Sequence, residues 1–111
     1  MSLTVLLLDP ESKYEPSVLY RANITHNLTD MAQEAGLYKP LWRPDEINKN
    51  YANEIQEDVE RGLNELLNNP EYFKRFNSSN GWGIYKHFVP FVENYLEAIK
   101  NYPEAEIYII R

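Results

Sequence analysis

Ile47, Tyr51, Ile55, Val59 and Leu63, followed by Leu66 and Leu67, recur at three- and four-residue spacing. That period draws one apolar stripe along an α-helix, predicted to run from about Pro44 to Asn68. Pro44 suits a first helical turn, and Asp45 and Glu46 stand where the positive end of the helix dipole favours acids. Gly62 weakens the helix by roughly 1 kcal/mol relative to alanine, which the stripe offsets. A helix with one apolar face needs another layer to cover that face. The rest of the chain has to supply it.

The two ends of the chain offer strands. Leu3 to Leu8 is apolar except at Thr4 and closes at Asp9-Pro10, the pattern of a buried strand ending in a turn. Glu11 to Pro16 reads as a polar loop, and Val18 to Asn23 as a second strand. Ala105 to Ile110 alternates before turning fully apolar. Between them lie further helices. Leu28, Met31, Ala32 and Ala35 share one face, with Gly36 where a left-handed C-cap belongs. Leu37 to Pro44 is expected to be a packed irregular connection. Asn69-Pro70-Glu71 starts a short helix, and Asn77 to Gly83 is a turn-rich loop. A last helix is predicted over Tyr85 to Tyr102, with either a late start or a kink at Pro90.

A chain of 111 residues can build one core without metals or disulfides, so a single domain over 1–111 is expected. The economical arrangement is an α+β fold: about four helices packed on a small sheet that pairs the first and last strands. An all-α bundle is the alternative.

Hydrophobic residues at 43% and charged residues at 25% argue against disorder. The net charge of −6 disfavours nucleic acid, whose backbone needs a basic face, and an anionic membrane likewise. The absence of cysteine removes thiolate metal ligands, disulfides and Cys nucleophiles together, and fits a reducing compartment. The run Val5 to Leu8 is far short of the ~20 residues of a spanning helix and lacks the flanks of a signal peptide. Cytoplasmic location is the expectation.

Polar and aromatic side chains gather in three short stretches, Asn23-Ile24-Thr25-His26-Asn27, Leu41-Trp42-Arg43-Pro44 and Asn80-Gly81-Trp82-Gly83 with Tyr85. In the first, Thr25 or Asn27 caps a helix start. His26, with Asp30 four residues on, is the candidate general base. The alternative is a histidine that bonds only locally. In the second, Arg43 either pairs with Asp45 or Glu46 or offers a donor fork to an anion, with Trp42 stacking nearby. In the third, Trp82 stands between two glycines. It either plugs the core or, with Tyr85, walls a pocket that a planar group can enter. No HExxH, GxGxxG or GxxxxGK occurs, and neither a metal nor a cofactor is expected. Asn23, Asn27 and Asn77 each begin an N-glycosylation pattern, which carries little weight beside the absent signal peptide.

The combination of NITHNL at 23–28, LWRP at 41–44 and NGWGIYKHF at 80–88 resembles a family of small bacterial and phage-associated proteins with no established activity. The resemblance implies that Asn23, Thr25, His26, Asn27, Trp42, Arg43, Asn80, Trp82 and Tyr85 mark the family, and it implies no mechanism. The family pattern favours glutamate where Asp45 and Lys86 stand here; the first change keeps the charge and the second reverses it. The leading expectation is a binding module for a small polar or planar ligand or a protein partner, using His26, Asn27, Trp42, Arg43, Asn80, Trp82 and Tyr85. An enzyme, hydrolase-like, with His26 as general base is the rival. The third reading is a purely structural or interaction protein whose polar clusters satisfy its own backbone, and homo-oligomerisation stays open.

Overall fold

The computed structural model describes residues 2–12 and 17–111, so part of the expected 11–16 loop lies outside the described residues. Strands β1 (Ser2–Leu8), β2 (Val18–Thr25) and β3 (Glu106–Ile110) form one antiparallel sheet in the order β2-β1-β3. Five α-helices lie between β2 and β3: α1 (Thr29–Glu34), α2 (Tyr38–Trp42), α3 (Ala52–Asn68), α4 (Pro70–Phe73) and α5 (Tyr85–Asn101). The fold is α+β and mostly helical, with the first and last strands paired as the sequence predicts.

Strand alternation decides which side chains reach the core. Leu3, Val5 and Leu7 of β1 are fully buried beneath the helices, and Ile24 stands opposite Leu3 on the same face. Ser2 pairs with Thr25 and Thr4 with Asn23, so these four polar residues share the opposite face. Helices α3 and α5 pack on each other. Ile55, Val59 and Leu66 from one, and Phe88, Val92, Tyr95 and Ile99 from the other, are fully buried in one core. Among the described residues no helix is long and apolar enough to cross a membrane.

Several boundaries differ from the sequence reading. The helix predicted from Pro44 is interrupted. Pro44–Ile47 is a 3-10 turn, Asn48 is left-handed at φ 57°, and α3 begins only at Ala52. The break is tertiary in origin, because residues 50–53 bond to the turn before β3. Ala52 N–H donates to Ala105 O at 2.9 Å, Asn53 N–H to Pro103 O at 2.9 Å, and Ile107 N–H to Asn50 O at 2.8 Å. Tyr51 therefore leaves the buried stripe and is exposed, as is Leu67 at the far end. The segment expected to be irregular after Leu37 contains α2. Pro40 fits its first turn, where amide hydrogens have no helical partner. Helix α5 starts at Tyr85 and runs through Pro90 rather than beginning after it. Gly36 does take the left-handed conformation predicted, at φ 75°.

Candidate functional site

The junction after β2 is built by its own polar residues. Thr25 Oγ1 accepts the Asn27 N–H at 3.2 Å and caps a 3-10 turn over His26–Leu28. This frees the Asn27 side chain to reach the 77–84 loop, where its Nδ2 donates to Trp82 O at 2.8 Å. The loop is closed on itself as well. Ser78 N–H donates to Gly83 O at 3.0 Å, and Asn80 Oδ1 accepts both the Ser78 hydroxyl at 2.5 Å and the Trp82 N–H at 2.9 Å. Asn77 Oδ1 takes the Tyr85 N–H at 2.7 Å, satisfying the first amide of α5. Gly83 is buried at φ 103°, so close to the junction that a Cβ there would lie 2.7 Å from Asn27 Cβ.

Between the loop and the edge of the sheet runs an open groove of about 780 Å³, within the usual range of small-molecule sites. It is lined by Asn23, Thr25 and Asn27 from the sheet edge and the junction after it, by Asn80 and Trp82 from the loop, and by His87 from α5. Ser2, the loop glycines and the core residues Ile24 and Leu28, which the groove borders without exposing them, complete the lining. Trp82 is 72% exposed although both its backbone polar groups are tied down, so it does not plug the core. Among the described residues the lining contains no Asp, Glu, Lys or Arg.

The candidate residues separate into those at the groove and those away from it. Asn27, Asn80 and Trp82 line it together. His26 does not. Its Nδ1 accepts the Trp42 indole N–H at 3.1 Å, which places the imidazole proton on Nε2. That Nε2 is buried without a partner among the described residues. His26 thus bonds to Trp42 rather than to Asp30, and neither ring nitrogen is open to a substrate in the groove. Trp42 is buried and stacks on Tyr38 with ring centres 5.9 Å apart. Arg43 donates to Tyr38 Oη at 2.9 Å and pairs with Glu46 at 3.2 Å, while Asp45 pairs with Arg111 at 3.4 Å. The hydrogen bond from Lys39, with Arg43 beside it, holds the Glu46 carboxyl below the usual carboxylate value. Tyr85 Oη donates to Leu66 O at 2.7 Å and so ties α5 to α3.

Reading the sequence missed His87, Ser2 and the part played by Asn23 in this wall. The signal for Ser2 and Asn23 lay in strand parity: if Thr25 faces outward, so does Asn23, and the register brings Ser2 beside them. His87 carried no local signal beyond standing four residues after Gly83. Among the described residues no group of three or more His, Asp or Glu side chains is placed to hold a metal ion. Comparison of the chain with protein-family models, curated proteins and solved structures finds no match.

Proposed function

We propose that the protein is a small binding module whose ligand lies in the groove between Asn27 and Trp82. The observation that carries this is Trp82. A large aromatic ring is 72% exposed on a backbone fixed at both sides, above an open, mixed polar and apolar groove. Exposing an indole forgoes the stabilisation that burying it gives, and a fixed backbone beneath it removes part of the entropic cost of meeting a ligand. A cytoplasmic location belongs to the same proposal and rests on the absence of cysteine.

The two tryptophans allow a direct test. Trp42 is buried and hydrogen-bonded, whereas Trp82 faces solvent, so a ligand in the groove changes the emission of Trp82 alone. Screening the full chain against a library of neutral, charged, planar and saccharide compounds should give hits that shift this emission. The same hits should lose binding to Trp82→Ala as read by NMR, while the variant keeps its stability within about 0.5 kcal/mol, as befits a surface side chain. Hits that bind Trp82→Ala as well as the native chain, or no hits, would overturn the proposal.

A further inference from the structure

Building on that proposed groove, we infer that its ligand is an uncharged saccharide, one pyranose ring of which lies on the face of Trp82. Three properties of the lining lead there. The first is neutrality. Among the described residues of the wall there is no Lys or Arg, so a phosphate, carboxylate or sulfate would meet no guanidinium or ammonium there, in a molecule of net charge −6. No Asp or Glu stands among those residues either, so a cation meets no carboxylate.

The second is the spread of amide groups around the ring. Two of the three asparagines have their orientation fixed by chemistry. Asn27 must present Nδ2 to the Trp82 carbonyl, which leaves its Oδ1 without a partner among the described residues. Asn80 must present Oδ1 to the Trp82 N–H, which leaves its Nδ2 without one. The groove therefore holds an unused acceptor and an unused donor on the two sides of the Trp82 backbone, and His87 adds a further polar group, while the Asn23 amide nitrogen is spent on the Ser2 and Thr4 hydroxyls. Hydroxyls both donate and accept and radiate around the rim of a sugar. A nucleobase keeps its polar groups on one or two in-plane edges.

The third is the exposed aromatic face of Trp82. The π-cloud of an indole carries partial negative charge and attracts the weakly positive axial C–H bonds of a pyranose.

The test is saturation-transfer NMR on the full chain. The probes are neutral di- and trisaccharides of glucose, galactose, mannose and N-acetylglucosamine, digalacturonic acid, adenosine and uridine. At least one neutral saccharide should bind, with saturation strongest on the axial protons of one ring. Trp82→Ala should weaken it about tenfold or more, Trp82→Phe should keep much of the affinity, and Asn80→Ala should weaken it with the fold intact. Binding of a nucleoside or of digalacturonic acid in preference to every neutral saccharide would overturn the saccharide assignment and leave the binding groove standing. No binding by any probe, together with an empty library screen, would overturn both.

Discussion

Gly83 is where the strand-to-helix junction and the tryptophan loop touch. Its left-handed φ is a conformation that L-residues with side chains adopt only under strain, and a methyl group would run into the Asn27 side chain. Gly83→Ala is therefore expected to cost about 1–3 kcal/mol in urea unfolding. It should also loosen the bond from Asn27 to Trp82 O, raising the mobility of Trp82 seen by fluorescence anisotropy. An alanine variant of unchanged stability and anisotropy would show that the contact does not hold the ring. His26 and Trp42 form a second residue-scale unit, whose bond joins the junction to α2 rather than to the groove.

At the scale of elements, the start of α3 depends on Glu54. Its carboxylate accepts the Asn50 N–H at 2.9 Å and the Tyr51 N–H at 3.0 Å, which holds the chain where it stops pairing with β3 and begins to coil. Glu54→Ala should destabilise the protein by about 1–2 kcal/mol in thermal or urea unfolding, with Glu54→Gln recovering part of the loss. An unchanged unfolding midpoint for Glu54→Ala would refute the role. This junction also shows how far the sequence could be read. The stripe from Ile55 to Leu66 was legible because a helix repeats its buried face in register with the sequence. The apolar spacing runs on through Tyr51 and Ile47, however, and the break between them comes from carbonyls at Pro103 and Ala105, which no local pattern encodes. The same limit applies to the groove. Asn27, Asn80 and Trp82 were identifiable as unusual polar and aromatic residues at turns. Which of the tryptophans would be buried depended on how the loops met, and that was not legible.

For the molecule as a whole, the core contains one polar atom that sets a pH limit. Tyr95 is fully buried, its hydroxyl has no partner among the described residues, and Tyr20 stacks on it with ring centres 6.0 Å apart. Burial, with the neighbouring Tyr20 adding to it, pushes the Tyr95 phenol well above its ordinary value, and burial raises Tyr20 as well. A raised pKa in the folded state means that the unfolded chain gives up its proton first. The stability this confers is complete below the ordinary tyrosine value of about 10 and declines as pH rises beyond it. Tyr95→Phe removes both the titration and an unpaired buried hydroxyl. It is expected to leave neutral-pH stability unchanged or raise it by about 1 kcal/mol, and to flatten the alkaline decline, as measured by urea unfolding from neutral pH to above pH 10. A loss of more than about 1 kcal/mol at neutral pH would show instead that the hydroxyl has a partner.

The sheet order has a consequence in time. β1 lies in the middle, between a neighbour that follows it closely in the chain and one that is nearly the whole chain away. On the ribosome, β1 and β2 can zip into a hairpin almost at once, while the other rim of β1 waits for β3 to be made. Through that interval the apolar run Leu3 to Leu8 has an unpaired rim, the arrangement that invites pairing with another nascent chain. The five helices emerge in that same interval and can cover the inward face of the hairpin. How promptly they do so governs whether the youngest form of the molecule stays single or aggregates.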